Sequence, residues 1–409
     1  MNILGEVCMK KRLSILLSLV IVLSICAPIT SVMAEEARKQ SVLKTGKEIA
    51  ALCNKYDNYN ELDSTDEQTI NTRLIVKSDD KIEEYDAIDS VYGFGYVFLQ
   101  YADENNAEKA LHNYENSGYI VSYDSLANCT DSANHQEWGD NWSYERVDSD
   151  SALDYYKLKA KPTINIAVVD SGINYNHELF KNRITRTKFN SSASGEAKNE
   201  IDDYGHGTEV AGIIANSTPS NVKISAYKVM DNKGYGSSST IVAACSYIEE
   251  LNNKPDIVNF SLGVKTGVII ESVIDELVNQ GITVVAAAGN DNREVFEAPG
   301  KCESAITVAA FDYYNKPCSF TNYGQVVDIS APGEYIYTAD MSKKMLIPFL
   351  LAHPLLHHSY LRPPLMYLWK TENTHLSKLN RNSLTRQCHL RKVAVSIFMV
   401  LVWLIFQIS

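Results

Sequence analysis

The second part of the chain alternates short apolar runs with longer amphipathic stretches. The apolar runs are about four to eight residues long and lack regular polar alternation, which is typical of strands covered on both faces. Apolar runs lie at 164–169, 224–229, 257–260 and 282–288, and helical stretches at 240–251 and 271–280. This order predicts an α/β fold with a doubly wound parallel sheet.

The first part, residues 35–136, is polar and rich in Tyr and Asn. Leu74–Val76 and Tyr96–Leu99 have the pattern of strands. Asp103 is a candidate N-cap for a helix that Gly118 would end, and another strand follows. A separate, small α/β module is therefore predicted here, followed by a polar linker.

The N-terminus has the pattern of a secretory signal. Lys10, Lys11 and Arg12 precede the apolar run Leu13–Ile25, and small residues precede a predicted cut at Glu35. Residues 1–34 are thus predicted to be a signal peptide of the general secretory pathway, and the protein to be extracellular.

Composition removes other function classes. Hydrophobic residues make up 45% and charged residues 22%, as in ordinary globular proteins, and the net charge of −12 argues against nucleic acid as a partner. The eight Cys show no CxxC spacing, so a zinc site is not expected. Cys302 and Cys318 either form a disulfide or are two buried thiols.

Two motifs supply an acid and a base. Asp170 ends the first buried strand, where catalytic groups of such sheets lie. His206 stands between Gly205 and Gly207, whose bare backbone lets the ring approach other groups closely. An acid followed by a base, with a nucleophile far downstream, is one of the orders in which a serine peptidase carries its triad. The amide of Asn290, after the strand at 282–288, is a candidate donor to an oxyanion.

These motifs stand among seven landmarks, in the same order, that resemble the subtilisin-like serine protease family. The landmarks are at 166–173, 205–212, 227–231, 260–263, 287–290, 320–324 and 329–333. The resemblance covers residues 162 to about 340 and implies the doubly wound fold. It also implies catalytic roles for Asp170, His206 and Asn290, the last in the oxyanion hole.

The resemblance further implies polypeptide substrates. They would bind along Ser261, Leu262, Gly263, Ala288 and Gly289. No cofactor is required, and calcium is a common ligand of the family, although no acidic loop matches a calcium site securely.

Residues 35–136 resemble the family's ferredoxin-like propeptide, which inhibits the enzyme until a cut near His135–Glu137. An unrelated N-terminal domain is the alternative. The remaining boundaries are a truncated peptidase domain at 137–340 and a tail at 341–409.

The family's nucleophile motif, Gly-Thr-Ser, is missing from the sequence. The tail that replaces it has neither Gly nor Asp, one acidic residue (Glu372) and nine Lys or Arg. Such an abrupt change inside a domain core is unlike a normal linker. The apolar run Val393–Ile408 is short for a membrane span, so a weak anchor is the alternative to chance.

A frame change explains the tail. If the codons are read from the third base of Leu351, each triplet permits the corresponding residue of Gly-Thr-Ser-Phe-Ala-Ala-Pro-Phe-Ile. The triplet across His353 and Pro354 permits only Ser or Pro. We therefore predict a one-base change of frame between about Asp340 and Leu351. The chain is then a subtilisin-like endopeptidase by descent that is inactive as written, and the alternative is a non-catalytic, peptide-binding pseudoprotease.

Overall fold

The computed structural model describes residues 43–53, 55–56, 69–128, 142–146, 163–192, 200–265, 268–339, 341 and 346–349. The predicted signal peptide, the linker with the predicted cut and nearly all of the predicted tail lie outside these residues. The strands are β1 (Thr69–Lys77), β2 (Asp89–Gly93), β3 (Tyr96–Gln100), β4 (Val121–Asn128), β5 (Ile164–Asp170), β6 (Val222–Lys228), β7 (Tyr235–Ser237), β8 (Ile257–Phe260), β9 (Gly263–Val264), β10 (Thr283–Ala287), β11 (Ile306–Phe311), β12 (Val327–Pro332), β13 (Ile336–Ala339) and β14 (Leu346–Phe349). The helices are α1 (43–53), α2 (Glu104–Asn116), α3 (Trp142–Arg146), α4 (His206–Ser217), α5 (Ser238–Glu249) and α6 (Val268–Asn279), and a 3-10 turn lies at Glu178–Phe180.

A six-stranded parallel sheet forms the centre of the second part of the chain. Its strand order is β12-β11-β10-β8-β5-β6, and every neighbouring pair is parallel. The residues of β8 are all buried, as are nearly all of β5, which explains why these strands read as continuous apolar runs. The prediction of a doubly wound parallel sheet is confirmed.

Helices cover both faces of this sheet. Alternate residues of β5, Ile164, Ile166 and Val168, pack into one core with the apolar side of α4. α5 and α6 pack against each other, and α6 also packs on β10. The two predicted helices at 240–251 and 271–280 begin two to three residues earlier than expected. Ser237 explains the first start, because its hydroxyl and that of Thr240 form a reciprocal capping box.

The N-terminal module is an antiparallel sheet in the order β2-β3-β1-β4, covered by α2. Asp103 caps α2 as predicted, with its carboxylate accepting a hydrogen bond from the backbone of Asn106. The strand order is that of a split β-α-β unit, but residues 78–88 join β1 to β2 without a helix. The ferredoxin-like propeptide therefore stays a prediction.

The module's last strand continues into the second part of the chain. Residues 126–128 of β4 pair antiparallel with β7 on one side, and residues 127 and 128 pair with β9 on the other. The sequence pattern did not predict β7 or β9, because two- and three-residue strands are too short to show a period.

A buried ion pair holds this junction. The guanidinium of Arg73 lies 3.0 Å from the carboxylate of Asp124, and both side chains are fully buried. The same carboxylate accepts hydrogen bonds from the backbone N–H (3.0 Å) and the hydroxyl (2.6 Å) of Ser239, in the first turn of α5. Asp124 thus supplies negative charge to the positive end of a helix that belongs to the other part of the chain.

At the other end of the domain, β13 packs closely on α4. A side chain at Gly212 would clash with Ala339 and Thr338, so the glycine permits the close approach. β14, which lies within the predicted out-of-frame tail, pairs antiparallel with β13. Cys302 and Cys318 are buried free thiols, so the disulfide alternative is not found. None of the described helices combines the length and apolar character that a membrane span needs.

We expect Asp124→Ala to lower the free energy of unfolding by about 3–5 kcal/mol, because the charge of Arg73 would stay buried without its partner. Urea denaturation measures the change. Lys55→Ala is the matched control, since it removes an ion pair with Asp89 on the exposed surface and should change stability little. Equal losses in the two variants would contradict the role given to burial.

Candidate active site

Asp170 and His206 are in direct contact. The Nδ1 of His206 lies 2.6 Å from Oδ1 of Asp170, and both side chains are almost fully buried. The same oxygen accepts the backbone N–H of Ser171 at 2.7 Å. Asp170 ends β5 and His206 begins α4, so the contact lies at the carboxyl edge of the sheet. The carboxylate therefore fixes the orientation of the ring through Nδ1.

Asp202 fixes the beginning of α4. Its Oδ1 accepts hydrogen bonds from the Ser171 hydroxyl and from the backbone N–H of Gly205, each at 2.9 Å. Its Oδ2 accepts the backbone N–H of Thr208 at 2.9 Å. Gly205 stands at the N-cap position and has no side chain to cap the helix. Asp202 supplies that cap from outside the helix and ties it to the residue after Asp170.

Glycine is required on the inner side of this turn. A Cβ at Gly207 would lie 2.1 Å from the carbonyl oxygen of Gly172 and 3.2 Å from the Cβ of Asp170. Only a residue without a side chain lets the first turn of α4 approach the end of β5 this closely. The structure therefore gives a packing reason for one of the two glycines that flank His206.

Asn290 follows β10, and Asp170 ends β5. Both strands run parallel to β8, which lies between them, so the two residues are at the same carboxyl edge of the sheet. Asn322 holds the turn that contains Asn290. The Asn322 amide nitrogen donates to the carbonyl of Ala288 at 3.0 Å, and its oxygen accepts the backbone N–H of Asp291 at 2.8 Å. Gly289 has a φ of 101°, a left-handed conformation that favours glycine. Ala288 is buried, with its N–H bound to the carbonyl of Val308.

Ser261, Leu262 and Gly263 follow β8 toward β9. Ser261 and Leu262 are buried, and the Ser261 hydroxyl accepts a hydrogen bond from Asn259 at 2.9 Å. Gly263 lies opposite Asn128 of the N-terminal module. The strand predicted to receive extended peptides is thus occupied by an extended segment of the same chain. On the far side of that segment lies Tyr235–Ser237, which the sequence pattern missed.

Calcium binding by this chain stays a prediction. No group of three or more His, Cys, Asp or Glu side chains in the described part of the chain is arranged to hold a metal ion. The buried carboxylate of Asp202 is engaged by hydrogen-bond donors.

The sequence predicted roles for Asp170, His206, Asn290 and the segment at 261–263, and these roles stay predictions; the structure brings Asp170 and His206 into contact. The sequence analysis assigned no role to Asp202 or to the Asn322 side chain. The sequence held a signal for each of them. Asp202 is four residues before His206 in a turn-rich segment, and Asn322 lies in the landmark at 320–324. Their hydrogen bonds depend on loop geometry, which periodicity does not report.

Comparison with known proteins finds similar sequences for the second part of the chain. Residues 161–360 match the model of the Peptidase S8 family, described as the subtilase family. The chain is 35% identical over 205 residues to an extracellular serine proteinase of Thermus sp. (strain Rt41A), covering 48% of this chain and 49% of that protein.

A second relative is the subtilisin-like protease 2 of Pseudogymnoascus destructans. It is 33% identical over 226 residues, covering 53% of this chain and 54% of the other. The chain thus spans about half the length of the curated relatives that it matches. Among solved structures, a cold adapted subtilisin-like serine proteinase aligns with 55% of this chain and 76% of its own, at 23% identity and a TM-score of 0.42.

We expect Asp202→Ala to lower the free energy of unfolding by about 2–4 kcal/mol, because several buried donors would lose their acceptor. Chemical denaturation measures it. Asp312→Ala is the matched control. Asp312 also accepts two backbone N–H groups, from Tyr314 and Lys316, but in an exposed turn where water can replace it. A loss for Asp202→Ala no larger than that for Asp312→Ala would refute the structural role.

Proposed function

We propose that this protein, whose residues 161–360 match the model of the subtilase family, is by descent a secreted serine endopeptidase with an Asp-His-Ser triad. The observation that carries the proposal is the 2.6 Å contact between Asp170 and His206 at the carboxyl edge of the sheet. That contact lies on the edge from which the Ser261–Gly263 segment also leaves its strand. Acid, base and peptide strand are thus on one side of the domain.

In the proposed reaction, Nε2 of His206 takes the proton of a serine hydroxyl while the serine oxygen attacks the peptide carbonyl. Asp170 keeps the proton on Nδ1 and stabilises the charged ring that forms. The amide of Asn290 donates to the oxygen on which negative charge develops. His206 then returns the proton to the leaving amine, and water hydrolyses the acyl-enzyme by the same steps in reverse.

The chain as written lacks the serine that this reaction needs, since Gly-Thr-Ser is missing from the sequence. We attribute the loss to the change of frame before Leu351. In the shifted frame the codons permit that motif, and the serine would come from the triplet across His353 and Pro354. The product as written is therefore proposed to be inactive in peptide hydrolysis.

Residues 35–136 are proposed to act as the propeptide, with a signal peptide at 1–34 directing secretion. Support comes from β4, whose last residues lie between β7 and β9. A substrate in that position would add the same strand to the same two edges. While β4 remains there, it excludes other peptides from the cleft.

The same observation favours the alternative, a pseudoprotease that binds peptides without cutting them. Strand addition at β9 needs only backbone hydrogen bonds and no serine. The two functions differ in one requirement, an activated nucleophile, so a reagent that reacts only with such a serine separates them.

We expect no labelling of the chain as written by a fluorophosphonate probe, because no serine is placed to be activated by His206. A version with the frame restored from Leu351 should be labelled. His206→Ala in the restored version should abolish labelling, since loss of the base lowers turnover about a millionfold in subtilisin. Gel fluorescence reads the result, and labelling of the chain as written would refute its inactivity.

We expect the chain as written to bind a fluorescein-labelled extended tetrapeptide weakly, because the resident β4 competes for the same edges. Ala127→Pro should strengthen binding, since proline disrupts pairing at a residue that contacts both β7 and β9. Fluorescence anisotropy measures the affinity. Lack of binding in both forms would exclude the pseudoprotease alternative.

A further inference from the structure

Glu297 places a carboxylate directly against the peptide-binding strand. Its Oε2 lies 2.2 Å from the position that a Cβ on Gly263 would occupy. The side chain is half-buried and forms no hydrogen bond or ion pair within the described part of the chain. Because Gly263 has no side chain, the carboxylate reaches the backbone of the strand. The Asp170–His206 chemistry described above makes no use of this group.

The surroundings of Glu297 are partly acidic. Burial, and then the charge of Asp291, raise the pKa of Glu297 to about 7, while Lys265 and Arg293 act in the opposite direction. Asp291 belongs to the turn held by Asn322, whose amide nitrogen lies 3.3 Å from the Asp291 carboxylate. Two carboxylates therefore stand beside the cleft, one on the turn of Asn290 and one behind β9.

Strand register decides which peptide residue meets Glu297. Residues that lie directly opposite each other in an antiparallel pair present their side chains on the same face, with Cβ atoms about 4.5–5.5 Å apart. In the resident strand the backbone of residue 128 holds the register opposite Gly263. A peptide residue bound in that register would place its side chain on the face where the Glu297 carboxylate stands, and we expect a side chain of the length of Lys or Arg to span the gap.

We propose that Glu297 is a specificity-determining residue that selects peptides with a Lys or Arg side chain opposite Gly263. A half-buried carboxylate without a partner is unfavourable, and a cationic side chain supplies both the opposite charge and hydrogen-bond donors. The resident strand carries Asn at this position, so the chain's own segment does not supply that charge. The proposal rests on the proposed peptide cleft and names the class of peptide that it prefers.

The resident strand permits a test in the full chain without catalysis. Asn128→Lys places an ammonium group opposite Gly263, and Asn128→Met is the neutral control of similar length. Each is combined with Glu297→Gln, and thermal unfolding is followed at pH 8.5. We expect Asn128→Lys to raise the unfolding midpoint by about 2–4 °C relative to Asn128→Met. Glu297→Gln should remove that difference.

The pH dependence gives a second readout. At pH 5.5, below the raised pKa of about 7, Glu297 is largely neutral, so the advantage of Asn128→Lys over Asn128→Met should shrink. Asp291→Asn should leave most of the difference, because Asp291 is exposed. Equal midpoints for the Lys and Met variants at pH 8.5, or a difference that persists in Glu297→Gln, would overturn the specificity proposal.

Failure of the peptide cleft itself has a separate signature. Ala127→Pro should lower the midpoint if β4 pairs with β7 and β9, because it breaks the ladder at a residue that joins both strands. An unchanged midpoint would overturn both the cleft and the specificity proposal. A lowered midpoint together with equal Lys and Met variants would overturn the specificity proposal alone.

Discussion

The closeness of the first turn of α4 to the end of β5 is the constraint on which the site depends. Oδ1 of Asp170 and Nδ1 of His206 meet at 2.6 Å only because the intervening backbone has no side chain at Gly207. Asp202 then holds the turn by accepting donors from the residue after Asp170 and from the start of the helix. A carboxylate and an imidazole are thus held together by a turn that the Asp202 carboxylate caps.

The second feature of the molecule is the continuity between its two sheets. β4 belongs to the antiparallel sheet of the N-terminal module, yet its last residues complete a small sheet with β7 and β9. The buried pair of Arg73 and Asp124 favours this particular arrangement of the junction, because Asp124 also binds the first turn of α5. Moving the N-terminal module away from α5 is strongly unfavourable unless water replaces the partners of this buried charge.

Most of the fold could be predicted because its strands are buried on both faces. The runs at 164–169 and 257–260 gave the parallel sheet, and Asp103 gave the start of α2. The short strands β7 and β9 could not be predicted, because two or three residues are too few to show a period. Both strands pair with β4, a segment distant in the sequence. Asp170 and His206 could be chosen as candidates from local motifs, and the structure brings the two side chains into contact. The roles of Asp202, Asn322 and Glu297 could not be predicted, because each depends on a contact between distant loops.

We propose that Asp170, His206 and the peptide edge of β9 persist in a chain whose serine lies out of frame. The DNA sequence that encodes residues 330–359 tests this proposal. We expect the codons, read from the third base of Leu351, to spell Gly-Thr-Ser-Phe-Ala-Ala-Pro. A proline codon across His353 and Pro354, or triplets that spell another sequence around it, would contradict the proposal.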